Sequence, residues 1–539
     1  MSGQGGSYKP TVKSSAVQRE SEGIAVPVMA AMNNAVGGKG PCGGSGRSEG
    51  KREGMTGRTG SNHPRGRKPT DKVRQLQRCL WVGAKRSPGR RFHALYDRIH
   101  RSDVLWEAWK RVKVNKGSAG VDRESIAMIE QQGLEAFLKG IQEDLQAGRY
   151  RPKAVLRRYI PKADGKRRPL GIPCVRDRVV QMAAKLVVEP LFEADFRECS
   201  FGFRPRRGAI QALEVLRLQG TRCNHVLDLD IRDYFGSIDH GILMKLVARR
   251  ISDRRVLKLL RHWLEAGVME DGVEMAMLSG TPQGGVISPL LSNIYLHELD
   301  RIWEDRCAHL GTLVRYADDA AVIGRTREAI KEAVRRVAII LGRLKLELHP
   351  EKTRLVDLSQ GRQGFDFLGC HLRKRMSGPI WVKEGRRVYF LNRCPSPRSM
   401  NRIRQRVREL TGRNRNGVKD VKVIIKDLNP ILRGWGNYFR SGNAARKFLQ
   451  IDSYVWRKLH RFMVRRKGRN LKAGQADHWT SQFFHDLGLH RLRGTVQYPG
   501  ARTMPQPERP PVSRVRENRT HGLKGGSFIH PCLYWPGER

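Results

Sequence analysis

The chain has little with which to build a secreted, disulfide-stapled or membrane-spanning protein. Its nine cysteines stand at 42, 79, 174, 199, 223, 307, 370, 394 and 532, and none forms a Cys-x-x-Cys pair. That spacing excludes paired-cysteine zinc ribbons, and scattered thiols in 539 residues suit a reducing compartment, expected to be the cytosol of a bacterium. No apolar run reaches the ~18 residues that a membrane helix needs. Met1 to Pro10 is polar and lacks the apolar stretch of a secretory signal. Acids are scarce as well: 52 Asp and Glu face 103 Lys and Arg, for a formal charge of +51. Such an excess opposes compaction unless a polyanion offsets it, so the expected partner is nucleic acid and not a membrane.

What is present falls into four stretches. Residues 1–85 are expected to be a flexible Gly- and Arg-rich extension, with little to bury around Gly37-Gly38-Lys39-Gly40 and Gly43-Gly44-Ser45-Gly46. Residues 92–375 mix helical and strand periods. Leu95, Ile99, Leu105 and Trp109, then Leu134, Leu138, Ile141 and Leu145, recur at helical spacing around a glycine-broken loop at 115–122. Tyr159 to Pro173 reads as strand, Asp-Gly turn, strand, with Lys162, Lys166, Arg167 and Arg168 near the tip. Cations in that position suit a triphosphate, Arg as a fork and Lys as a point charge. Residues 376–475 become helical and basic, with apolar stripes at Met400, Ile403 and Val407, at Ile431, Leu432 and Trp435, and at Val455, Leu459 and Phe462. Asn429-Pro430 reads as a helix start. Residues 476–539 form a basic tail, a DNA-binding remnant at most.

Three acids stand apart from this pattern. In Val226-Leu227-Asp228-Leu229-Asp230-Ile231 the period of two puts Leu227, Leu229 and Ile231 on one face and Asp228 and Asp230 on the other. Leu313 to Gly324 reads as a hairpin with Asp318 and Asp319 at its tip. Adjacent carboxylates between strands that favour burial are costly unless a cation neutralises them. Oxygen ligands of this kind suit Mg²⁺, which keeps its other positions for water and phosphate. Between them, Ser279 to Pro289 is a Pro- and Gly-rich loop that lets the backbone approach a flat ligand. The order of strand, helix, acid-bearing strand, helix, hairpin, helix, strand matches an α+β fold built on a split βαβ sheet.

Tyr316-Ala317-Asp318-Asp319 resembles the signature box of reverse transcriptases. Asp230-Ile231-Arg232-Asp233-Tyr234-Phe235 resembles their first catalytic box, and Thr281-Pro282-Gln283-Gly284-Gly285 their nucleotide-positioning box. Ile160-Pro161-Lys162 with Arg168-Pro169-Leu170-Gly171-Ile172-Pro173 is similar to the fingers, and Phe365-Asp366-Phe367-Leu368-Gly369 to the approach to the primer grip. Leu428 to Phe439 resembles the maturase region of group II intron-encoded reverse transcriptases. The resemblance spans roughly 92 to 475.

It implies a right-hand polymerase fold, fingers and palm at 92–375 and a thumb or maturase bundle at 376–475. It also implies RNA-directed DNA synthesis with two Mg²⁺ ions (Mn²⁺ as a substitute), held by Asp230, Asp318, Asp319 and the Ile231 carbonyl. Lys162 and Arg168 would contact the triphosphate, Gln283 would position the nucleotide, Phe235 would exclude a ribose 2′-hydroxyl, and Lys352 would donate a proton or meet phosphate. Arg402, Arg406, Arg433, Trp435, Tyr438 and Arg440 would bind RNA on the thumb. The implied partners are group II intron RNA in a ribonucleoprotein, an RNA template with DNA primer, target DNA and dNTPs. The chain departs from the family in its tail, where Cys532 alone lies beyond residue 394, too little for a cysteine-bearing nuclease. A splicing cofactor whose polymerase has decayed and a retron-type enzyme are the alternatives; the three intact acids disfavour the first and residues 428–439 the second.

Overall fold

The computed structural model describes residues 69–497, apart from 162–166, 271–272, 276–278, 282–283, 378–381, 384–385, 416 and 419. It opens on a helix, α1 (Pro69–Arg86), where flexible chain was expected through residue 85. Val73, Leu76, Leu80 and Ala84 recur at helical spacing and are buried, so this segment does have a face to hide. It lies against α4 (Val175–Glu193), with Gln77 Nε2 donating to the Leu186 carbonyl at 3.0 Å and Lys85 Nζ to that of Ala194 at 3.0 Å.

Helices α2 (Ser102–Val114) and α3 (Leu134–Gln146) follow, and then the hairpin β1 (Val155–Pro161) and β2 (Arg167–Ile172). That hairpin joins β4 (Val268–Glu270) and β5 (Val273–Met275) in a sheet of order β2-β1-β4-β5. After α4 come α5 (Ala209–Gln219), β3 (His225–Leu229), α6 (His240–Ala248) and α7 (Arg254–Glu265). Asp253 caps α7 with its side chain and separates it from α6. Helix α8 (Ser288–Ile302) leads to the hairpin β6 (Thr312–Tyr316) and β7 (Asp319–Gly324), and α9 (Arg327–Arg343) leads to β8 (Arg354–Asp357).

The central sheet has the order β6-β7-β3-β8 and is antiparallel throughout. Its two faces feed two separate cores. Leu227, Leu229, Leu313, Ala320 and Val322 join the helices α1, α2, α4 and α6 to α9. Val226, Val314, Ala321, Ile323 and Val356 join the C-terminal helices. The strand period of two is thus satisfied on both sides, which is why these strands read as almost continuous apolar runs.

Strands β9 (Gly364–Phe367), β10 (Cys370–Met376) and β11 (Tyr389–Pro395) form a third sheet in the order β11-β10-β9. Beyond it lie α10 (Pro397–Leu410), α11 (Val421–Phe439), α12 (Ala445–Lys467) and α13 (Ser481–Asp486). Pro430 sits inside α11 and does not begin it. Asp420 caps that helix instead, and buried Val421, Ile424, Ile425, Leu428 and Leu432 outweigh one proline break. Asn429 is not a cap either: its side chain donates to the Gly488 carbonyl and accepts from the His490 amide, each at 2.8 Å. Together with buried Trp479, Phe484, Leu489 and Leu492, this ties residues 479–492 of the expected tail to the helical bundle. The α+β architecture with a helical C-terminal bundle is the one the sequence pattern implies.

Candidate active site

Register brings the three acids together. Strands β3 and β7 pair Leu229 with Ala320, so Asp230, one step on, lies across from Asp319. On the other edge Tyr316 pairs with Asp319, which leaves Ala317 and Asp318 as a two-residue turn. Ala317 takes φ 57°, a left-handed backbone uncommon for a residue with a Cβ. Gly202 lies against this turn so closely that a Cβ there would strike the Ala317 amide nitrogen. Its loop is stitched to β6 by Phe201 N to the Arg315 carbonyl and Arg315 N to the Cys199 carbonyl, each 2.8 Å.

The electrostatics are those of an anion cluster short of cations. Burial pushes the Asp319 carboxyl up to about 7, and the charges of Asp318, Asp230 and Asp228 push the same way. Asp319 nonetheless reaches solvent. Asp318 is raised too, first by burial and then by Asp230, against the pull of its own backbone amide and of Arg168. Arg168 lowers both acids, so this exposed guanidinium faces the cluster. Asp230 Oδ2 is buried without a hydrogen-bond partner. The Lys352 ammonium stands 2.9 Å from it as an ion pair, off hydrogen-bonding geometry.

The segment after Asp230 is fixed by the 346–353 loop. His349 N donates to the Asp230 carbonyl at 2.8 Å and Arg232 N to the Glu347 carbonyl at 2.9 Å, flanking an antiparallel Ile231–Leu348 bridge. In such a pair the Ile231 carbonyl is left out of the ladder. The chemistry of the donors suits hard cations: two carboxylates raised by burial and by the charge of Asp230, an Asp230 oxygen held only as an ion pair with Lys352, and a backbone carbonyl outside the pairing. Among the described residues, no group of three or more His, Cys, Asp or Glu side chains is placed so that it could hold a metal ion as it stands.

Phe235 is half-buried, its ring 5.1 Å from that of Tyr234. Its carbonyl accepts from Thr281 N at 2.9 Å, which holds it against the Pro- and Gly-rich loop. Lys162, Lys166 and Gln283 lie outside the described residues. Arg178 and Gln181 on α4 carried no signal in sequence, yet they organise the surroundings. Buried Arg178 donates to the Pro173 carbonyl at 2.9 Å and to that of Ser118, pinning the 115–122 loop to the end of β2. Gln181 accepts from Val286 N at 2.9 Å and so holds the loop that contains Gln283.

The thumb assignments divide. Arg402 and Arg433 are exposed, Arg406 pairs with Glu409 at 2.7 Å, and Arg440 is half-buried at the end of α11. Trp435 and Tyr438, expected to meet RNA, turn inward. Trp435 packs 4.9 Å from Phe439 and 5.5 Å from Phe448, and the Tyr438 hydroxyl donates to the Leu368 carbonyl at 2.8 Å. The helical stripe that gave them away as a group is the buried stripe. Further cations gather along the α10–α12 seam. Burial there, with Arg461, Arg408 and Arg465, holds the Lys458 ammonium below its ordinary value. An open groove of about 260 Å³ beside it is lined by Arg404, Leu449, Gln450, Ser453, Tyr454 and Arg457.

Comparison with known proteins bears on this geometry. The reverse transcriptase (RNA-dependent DNA polymerase) family pattern matches residues 160–372, and the group II intron maturase-specific domain matches 400–479. Protein YkfC of Escherichia coli is 36% identical over 344 residues, which cover 57% of this chain and 89% of YkfC. The group II intron-encoded protein LtrA of Lactococcus lactis is 31% identical over 355 residues, 54% of this chain and 58% of LtrA. A 91 kDa protein of the cob intron of Schizosaccharomyces pombe is 25% identical over 465 residues, 73% of this chain and 56% of that protein. The chain thus spans a little over half the length of the last two. No described helix is long and apolar enough to cross a membrane.

Proposed function

Because the chain belongs to the group II intron type of reverse transcriptase, with a maturase-specific domain behind the polymerase, we propose that it copies RNA into DNA and binds its intron RNA to assist splicing and retrohoming. The observation that carries this reading is the cluster of Asp230, Asp318 and Asp319, in which strand register sets Asp230 across from Asp319 and Arg168 pulls on both Asp318 and Asp319. The family works with divalent ions; here Asp230, Asp318, Asp319 and the Ile231 carbonyl would hold them, Mg²⁺ by preference. Bound there, such ions acidify a primer 3′-hydroxyl and steady the leaving pyrophosphate.

The chain's own groups do the rest. Arg168 faces the acids from the fingers hairpin and meets the triphosphate with a fork of donors. By the family resemblance, Lys162 would add a second cation for the triphosphate and Gln283 would position the nucleotide. Phe235 lies beside the sugar and leaves no room for a 2′-hydroxyl. Lys352, paired with Asp230 at 2.9 Å, would be the group at hand to meet the pyrophosphate or to donate a proton to it. The exposed thumb cations track the phosphates of intron RNA or of the template–primer duplex.

Primer extension on an RNA template with Mg²⁺ tests this. Asp318→Asn is expected to reduce extension by more than ~100-fold, since groups that merely orient a metal ligand are already worth 10–100-fold. RNA binding and assisted splicing should survive in the same variant. A wild-type protein that binds intron RNA but extends no primer would leave only the splicing role.

A further inference from the structure

Arg315 is a fully buried cation on the strand that leads into the acidic turn. Its Nε donates to Asp300 Oδ1 at 2.7 Å, and its Nη2 to Ser200 Oγ at 2.8 Å and to the other Asp300 oxygen. Its Nη1 donates to Asn293 Oδ1 at 3.1 Å and to the Ala317 carbonyl at 2.9 Å. All five donors of the fork are engaged, and one holds the turn residue that precedes Asp318. The same Asn293 donates from Nδ2 to the Gly202 carbonyl at 2.8 Å. Gly202 in turn lies against the Tyr316–Ala317 backbone of that turn. The acidic tip is thus gripped from beneath by a guanidinium and from the side by a glycine, and Asn293 joins the two.

This grip has a use that fold maintenance does not require. Ala317 stands at φ 57°, where only the surroundings keep a residue with a Cβ. A turn free to relax would swing Asp318 away from Asp230 and Asp319 while leaving β6 and β7 paired. Asp300 pairs with Arg315, and the Arg315 charge that remains lowers the Asp318 carboxyl somewhat. A lysine could pair with Asp300 but lacks the planar fork that reaches Asp300, Asn293, Ser200 and Ala317 at once.

We infer that Arg315, seated on Asp300 and Asn293, is a positioning residue that holds Ala317 in its left-handed turn and thereby aims Asp318 at the divalent ions. The inference rests on the polymerase reading, and it deepens that reading by naming what sets the carboxylate geometry. Displacing the tip should weaken ion binding and slow catalysis without disturbing the fingers, so kcat should fall while KM for the dNTP holds. Buried groups that orient ligands are typically worth 10–100-fold in metal affinity or activity.

Mn²⁺ binding to the full-length protein, followed by electron paramagnetic resonance with no nucleotide present, tests it apart from turnover. Folded Arg315→Lys is expected to bind Mn²⁺ ~10-fold or more weakly with RNA affinity unchanged. Adding Ala317→Gly should restore part of that loss, because glycine takes φ near 57° without steric cost. Folded Arg315→Lys with wild-type Mn²⁺ affinity, or a loss that Ala317→Gly does not touch, overturns the inference. Should Arg315→Lys fail to fold, Gly202→Ala decides, because it pushes the turn from the other side with Arg315 intact. Weaker Mn²⁺ binding by Gly202→Ala supports the grip, and wild-type binding refutes it. Absence of primer extension by the wild type would count against the polymerase reading alone, since the Mn²⁺ measurement does not depend on it.

Discussion

The central sheet and the C-terminal helices use charge in opposite ways. Around the sheet, ionic groups are buried and committed to one another: Arg315 to Asp300, Arg204 to Glu193, Arg250 to Asp195. On α10 and α12 the cations are mostly exposed and crowd cations of the same sign. A buried network fixes a few atoms to within hydrogen-bonding tolerance, whereas an exposed basic seam only has to attract a polyanion. The first arrangement suits chemistry on one bond and the second suits a long, variable nucleic acid. Substitutions should therefore act all-or-none near the sheet and by degrees on the helices.

The sharpest challenge to that contrast lies inside the bundle. If Trp435 belongs to packing and not to RNA, Trp435→Ala should cost about 3 kcal/mol of folding stability by urea denaturation. RNA affinity of the folded variant should hold at temperatures well below its melting point. A stable variant with diminished RNA affinity would return Trp435 to the binding surface.

The seam itself should respond by degrees. Replacing Arg404, Arg408, Arg461 and Arg465 by Gln together should weaken RNA binding at every sequence. Each phosphate deprived of its guanidinium should lower the slope of log affinity against log salt by about 1. Primer extension with saturating template should fall far less than binding at low template. An unchanged salt slope would move the nucleic-acid path off this seam.

The smallest expected effect concerns a buried acid near the fingers. Burial raises the Asp177 carboxyl to about 6, although the Tyr150 hydroxyl donates to it at 2.6 Å and the Lys153 amide at 3.2 Å. The folded state then binds that proton more tightly than the unfolded chain, whose carboxyl titrates near ~4. Stability should fall as pH rises from about 4 to about 6, and Asp177→Asn should remove that share of the slope. Urea midpoints of the two proteins at pH values below and above this window give the sign. A wild type that gains on Asp177→Asn as pH rises would contradict it.

Much of the site was legible because its signal is local. Asp230 breaks an apolar strand, Asp318 and Asp319 cap a hairpin, and strand register does the rest. Nothing local marked Arg315, Arg178 or Gln181. Each is one more polar residue in a chain crowded with them, and its partners are distant in sequence, as Arg315 is from Ser200. The same limit explains Trp435 and Tyr438: helical spacing shows that a stripe exists but not whether it faces protein or ligand. Residues 69–85 were hidden under the Gly-rich run before them, although Val73, Leu76, Leu80 and Ala84 already carried the period of a packed helix. Pro430 misled for a related reason, since a local start signal was overruled by burial on both sides of it.

The proposed catalysis requires Asp230 to share cations with an aspartate pair far away in the chain. The most direct measurement is Mg²⁺-dependent extension of a DNA primer on RNA by wild type and Asp230→Asn, with Mn²⁺ affinity measured on the same samples. Asp230→Asn is expected to keep its fold and its RNA affinity but to lose extension and bind Mn²⁺ more weakly. Undiminished extension and Mn²⁺ binding by folded Asp230→Asn would contradict a shared cation site.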